Sequence, residues 1–151
     1  MIRIIAIGKK HEAWVADGIE RYQRRLKKPF AVEWVLLPHS AKSGLQARQN
    51  ESEAILTRVS TAEYVVLLDE TGKLYDSPAL SGLLTSAFGR DAHITIIIGG
   101  AYGVSEEVQA RAQVVWSLSP LVFPHQLVRL LLIEQLYRAQ EIAAGHPYHH
   151  E

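Results

Sequence analysis

The fold is decided by the stretch Ile94-Thr95-Ile96-Ile97-Ile98-Gly99-Gly100-Ala101-Tyr102-Gly103. Its first five residues are all β-branched, and no polar alternation marks a wet face. That pattern belongs to a strand covered on both sides in a parallel sheet. Three glycines follow at once. Glycine admits positive φ and lets another group approach the backbone closely, so the strand ends either in a tight turn or in a ligand cradle. Gly99-Gly100-x-x-Gly103 is not the dinucleotide fingerprint, and no Lys-Ser/Thr pair follows as in a phosphate loop, so polyphosphate binding is disfavoured.

Outward from this strand, apolar runs and helical periodicities alternate. Ile2 to Ile7, Ala31 to Leu37, Tyr64 to Leu68 and Val114 to Leu118 read as further strands. Asp69-Glu70-Thr71-Gly72 supplies turn chemistry after the third of them. The spacing of Val15, Ile19, Tyr22 and Leu26 predicts a helix from about His11 to Lys28, with Arg21, Arg24, Arg25 and Lys28 mostly on its outer side. Further helices are expected through Val59, from a Ser77-Pro78 start to about Phe88, after Ser105, and from about His125 to Ala144. Strands separated by helices predict an α/β protein, a parallel sheet covered by helices on both faces. No linker or repeat breaks the chain, so residues 1–151 read as one domain. Ligands of such sheets gather outside the carboxyl ends of the strands.

The chain has 151 residues, 48% of them hydrophobic and 21% charged, the balance of a globular domain. Sixteen Lys and Arg offset sixteen Asp and Glu, so any polyanion must be met by a local patch and not by a global field. The absence of cysteine excludes disulfides, thiolate nucleophiles and thiolate metal centres. No leader or membrane-spanning run is evident, and a cytoplasmic location is the expectation.

Ser117-Leu118-Ser119-Pro120-Leu121-Val122-Phe123-Pro124-His125 is mostly apolar where a polar loop would be usual. It suits either a flat heterocycle held by backbone hydrogen bonds between apolar walls or a buried connection. The last helix is apolar around most of its circumference, which points to a central position or a subunit interface. Glu134 and Arg138 are placed to pair one helical turn apart, and Arg129 stands among apolar neighbours. His146, His149 and His150 form no convincing ligand set, so no metal is expected. No Gly-x-Ser-x-Gly elbow is present. Arg21, Arg24, Arg25, Lys27 and Lys28 form either a solvated face or a modest phosphate-facing patch.

Several of these segments, in order, resemble one family. They are Leu67-Leu68-Asp69-Glu70-Thr71-Gly72-Lys73, Ile97 to Gly103, Trp116-Ser117-Leu118-Ser119, Phe123 to Arg129, Glu134 to Ala139 and His146-Pro147-Tyr148-His149. Together they are similar to the RlmH family, bacterial SPOUT-superfamily enzymes that methylate N3 of a pseudouridine in large-subunit ribosomal RNA. The resemblance implies a SPOUT-type α/β knot, whose carboxyl-terminal trefoil forms a cleft for S-adenosylmethionine, and a homodimer packed across that region. It implies donor contacts at Leu68, Gly99, Gly100, Leu118, Ser119, Pro120, Leu121, Val122 and Phe123. It implies RNA contacts at His125 and Arg129, and catalytic roles for Glu134, Arg138, Tyr148 and His149. The expected partner is 23S rRNA in the assembled ribosome, with no metal and no membrane. The rival expectations are a non-catalytic ribosome-docking module of the same fold and a nucleotide-binding α/β protein.

Overall fold

A computed structural model describes residues 1–90 and 92–150. Its sheet has five strands: β1 (Ile2–Ile7), β2 (Val32–Leu37), β3 (Tyr64–Leu74), β4 (Ile94–Ile98) and β5 (Val114–Ser117). They are ordered β2-β1-β4-β3-β5 and every neighbouring pair is parallel. All five residues of β4 are buried, as expected of a strand without alternation. Each of its isoleucines contributes about 1.5–3 kcal/mol by leaving water.

The helices are α1 (Ala13–Gln23), α2 (Gly44–Leu56), α3 (Ser77–Gly89), α4 (Glu106–Arg111) and α5 (His125–Ala143). One core, beneath α1, α3 and α5, joins Ile4, Ile96 and Ile98 to Leu132, Ile133 and Leu136. The other, beneath α2 and α4, joins Ile5, Ile7 and Ile97 to Ile55 and Val108. Alternate residues of β1 and β4 thus feed opposite cores, and neither face of the sheet is left wet. α5 packs against both α1 and α3, so the chain leaves β5 at the sheet's edge and returns over its centre. That position explains why α5 has so little polar circumference.

Beyond shifts of one to three residues at other element ends, three boundaries differ from the sequence reading in an instructive way. β3 does not stop at Leu68: Trp116 lies opposite both Leu68 and Lys73, and Leu74 pairs with Ser117. The turn chemistry is real, since Asp69 Oδ1 accepts from Thr71 N at 3.2 Å. It forms an excursion within a strand that then resumes its pairing. α1 ends at Gln23, short of Lys28, because after the Arg24 amide bonds Glu20 O the next amides, Arg25 and Leu26, close tighter three-residue turns onto Tyr22 O and Gln23 O. α3 is capped by Asp76, whose carboxylate accepts from the Ala79 amide at 2.8 Å, placing Ser77 inside the helix. A longer-reaching carboxylate displaced the expected hydroxyl cap.

Candidate functional site

The carboxyl rim of the sheet carries a cleft of about 320 Å³. Leu68 stands on one side, Gly99 and Gly100 form its floor, and Leu118, Ser119, Leu121, Val122 and Phe123 close the other side. Eight of the nine residues expected to meet a donor therefore line one space. Pro120 is exposed and lies outside that lining. The β5–α5 loop is shaped from within: Ser117 Oγ donates to Ser119 O at 2.9 Å, and Ser119 Oγ accepts from Leu121 N at 3.0 Å. The Ser119 hydroxyl is thus engaged in loop geometry. Leu121 and Val122 stay 69% and 77% exposed, apolar surface at the mouth of a cleft.

Glycine is required on the floor. A Cβ at Gly99 would stand 2.7 Å from Val104 Cγ1, and one at Gly100 would stand 2.5 Å from Glu51 Oε1 and 3.2 Å from Ile7 Cγ2. The Gly103 amide donates to Gly100 O at 3.0 Å and folds the loop over. The result is a bare-backbone surface between apolar walls. Such a surface admits a flat group against bare backbone.

Sequence reasoning did not single out Glu51. It is 4% exposed, lies behind Gly100 and accepts from Ser40 N at 3.0 Å, with His39 Nδ1 4.0 Å away. Its helix, α2, is polar around most of its circumference, so no pattern distinguishes this carboxylate from its exposed neighbours. Asp69 and Glu70 also line the cleft, contributed by the β3 excursion that the sequence placed after the strand.

His125 begins α5 and lines the cleft. Desolvation and the nearby Arg129 guanidinium hold its imidazole below the ordinary value, only partly opposed by a hydrogen bond with the Gly99 backbone. Arg129 does not reach the surface where an RNA contact was expected. It is 1% exposed, and its Nη2 donates to Ile7 O at 3.0 Å and Gly8 O at 3.2 Å, while Nη1 donates to Lys10 O at 3.1 Å. A Cβ at Gly8 would lie 2.7 Å from Arg129 Nη2. Its guanidinium clamps the β1–α1 connection to α5.

Glu134, Arg138, Tyr148 and His149 do converge. Arg138 Nε and Nη2 donate to Glu134 Oε1 at 3.0 and 2.5 Å, and Nη1 lies 3.2 Å from His149 Nδ1. Tyr148 OH donates to the same carboxylate oxygen at 3.4 Å, and its ring lies 4.9 Å from Arg138 Cζ. Glu134 Oε2 accepts from Gln135 Nε2 at 2.8 Å. Hydrogen bonding to Glu134 raises the Arg138 pKa, so this guanidinium is always charged. Burial first, and Glu134 next, push the Tyr148 phenol up, leaving it a proton donor. His146 turns away, its Nδ1 2.5 Å from Glu141 Oε2. Among the described residues no three His, Asp or Glu groups are gathered to hold a metal ion, and no helix is long and apolar enough to cross a membrane.

The two constellations are adjacent but separate. His149 and Gln135 line a second hollow of about 680 Å³, which shares Leu118 and Phe123 with the first. Along α5, Arg138 lies about 20 Å below His125 at 1.5 Å per residue.

Comparison with known proteins identifies the family. A family model described as "Predicted SPOUT methyltransferase" matches residues 1–149. Proteins named "Ribosomal RNA large subunit methyltransferase H" from Desulfitobacterium hafniense and Pseudomonas aeruginosa are 39% and 40% identical, each alignment covering 98% of both chains. Among solved structures, a probable methylase family protein from Haemophilus influenzae superposes with a TM-score of 0.57 at 14% identity, covering 99% of this chain and 70% of that one. TrmJ from Z. mobilis gives 0.54 at 12% identity, over 93% and 70%. These two likenesses concern the fold alone. The chain belongs to the SPOUT family and is a methyltransferase.

Proposed function

We propose that the chain methylates N3 of a pseudouridine in 23S rRNA within the assembled ribosome, with S-adenosylmethionine as methyl donor. The observation that carries this reading is the pairing of a glycine-floored apolar cleft with a charged cluster across the shared Leu118–Phe123 wall. It occurs in a chain about 40% identical to proteins named for large-subunit rRNA methylation. The reaction places the enzyme in the cytoplasm, acting as one SPOUT domain and as a homodimer. Two features support the homodimer: the exposed Leu121 and Val122 beside the cleft, and the length of α5 separating the two constellations. The return of the chain from the edge strand β5 to the centre, where α5 packs on α1 and α3, is compatible with the expected knot.

S-adenosylmethionine, when bound, supplies a methyl group activated by its sulfonium. Gly99 and Gly100 would admit it against bare backbone, and Leu68, Leu118 and Phe123 would hold its flat portion. The residues of the chain must then align the acceptor and remove the N3 proton; alignment alone supplies several kcal/mol. In the present arrangement both proposed bases are already engaged by hydrogen bonds. Glu134 accepts on both oxygens, and His149 Nδ1 faces the Arg138 guanidinium. Arg138 is therefore the electrostatic element, a fixed cation that favours the anionic form of the base. When the target nucleobase's oxygens take Arg138 Nη1, His149 Nδ1 is released and would take the N3 proton, balancing transfer of the methyl from sulfonium to N3 with departure of the neutral thioether. Tyr148 offers a stacking face, and its ring is already braced edge-on against Tyr137, with centroids 4.8 Å apart.

The test is mass spectrometry of large-subunit rRNA after incubation of ribosomes lacking the modification with enzyme and isotopically labelled donor. One labelled methyl on pseudouridine N3 is expected. No label, or label on uridine, overturns the assignment. Whole ribosomes should be methylated far faster than an isolated hairpin, because a neutral enzyme must be positioned by shape; equal turnover would contradict that.

A further inference from the structure

Residues 21–28 hold five of the chain's sixteen Lys and Arg and no acid. Arg21, Arg24, Arg25, Lys27 and Lys28 are all exposed, and none takes part in an ion pair among the described residues. Helix capping does not account for them. Only Arg21 lies in the last turn of α1, and Arg24 is already the cap, while favourable charge–dipole contacts fade beyond that turn. Five unpaired like charges in a chain of zero net charge repel one another, and that repulsion is relieved by a polyanion.

The position of the segment indicates what it serves. Lys27 N donates to Gln140 Oε1 at 2.7 Å, and Gln140 Nε2 donates to Arg25 O at 3.0 Å, locking the segment to α5. Arg25 Cζ lies 5.7 Å from the Tyr137 ring, which meets Tyr148, the ring beneath Arg138. A continuous line of contacts therefore runs from the cationic segment to the charged cluster. We propose that residues 21–28 are a docking track for the RNA phosphate backbone, holding the strand that flanks the nucleotide presented to Arg138 and His149. This rests on the rRNA reading above and assigns its RNA grip to a face across the sheet from α2.

The test compares wild type with R24Q/K27Q/K28Q, which spares the packed Arg25, and with K42Q/R48Q/R58Q, which removes equal charge on and beside α2. Binding to purified large ribosomal subunits is followed by cosedimentation across a KCl series, alongside single-turnover methyl transfer. The track variant should bind at least tenfold more weakly, keep its transfer rate at saturating subunits, and lose about 2 from the slope of log affinity against log salt. The α2-side variant should change binding less than twofold. No loss in the track variant, equal loss in both variants, or an unchanged salt slope overturns the proposal. So does a loss on subunits that vanishes on protein-free large-subunit rRNA, since the partner would then be a ribosomal protein. If wild type transfers no methyl, the functional reading fails by itself, while the binding and salt comparisons still decide the track.

Discussion

Arg129 and Arg138 stand on the same helix nine positions apart, and their surroundings give them opposite work. Arg129 donates to three carbonyls, at the end of β1 and in the connection after it, lies 3.2 Å from His11 Nδ1 and has no carboxylate partner among the described residues. Arg138 is only partly buried and holds one carboxylate and one imidazole, groups that an incoming base can displace. A guanidinium that completes buried backbone hydrogen bonds serves the fold. One whose partners are exposed-edge side chains, beside a hollow that His149 lines, is open to the proposed substrate. Sequence made both conspicuous as charges among apolar residues, and family resemblance gave both a functional role.

The contrast breaks most visibly at Arg129. Arg129→Ala leaves the Ile7, Gly8 and Lys10 carbonyls without their donor and opens a cavity, a loss of about 3–5 kcal/mol. Thermal unfolding should shift down by roughly 6–15 °C, and a shift under 2 °C would reverse the assignment. Arg138→Ala should lower single-turnover transfer by about 10²–10³-fold. Its stability cost should stay below about 1 kcal/mol, as for a partly exposed pair one turn apart. Unchanged transfer would remove Arg138 from the chemistry.

Gly100→Val tests the other constellation. The added side chain meets Glu51 and Ile7, so the loop must move, and donor affinity measured by calorimetry should fall more than tenfold. Arg138→Ala should leave that affinity unchanged. The smallest effect sharpens the comparison by pH. Desolvation and Arg129 hold both His11 and His125 below the ordinary value of 6.5. Below about pH 6.5 the unfolded chain therefore binds protons that the folded chain refuses, and stability falls as pH drops toward the lowered folded values. His125→Asn should flatten this slope in chemical denaturation series, and Arg138→Ala should not alter it.

Much of the fold was legible in order along the chain. β4 declared itself by five β-branched residues, α5 by its apolar circumference, and the cleft by glycines at a strand's end and an apolar loop before His125. The convergence of Glu134, Arg138, Tyr148 and His149 was legible through family resemblance and not through spacing, since the last two follow the end of α5. The resumption of β3 at Lys73 was hidden because Asp69 to Gly72 carries true turn chemistry, and only the waiting edge of β5 brings the strand back.

Sequence by itself determined what each segment could do locally: which residues favour extended or helical backbone, where backbone can lie bare, and which side chains carry charge. Tertiary structure alone decided which charges are enclosed and which stay available, burying Arg129 and Glu51 while leaving Arg138 and the 21–28 segment open. The physical reason is that conformational preference is set by neighbours in the chain, whereas the energy of a charge is set by the solvent and partners that distant segments exclude or supply.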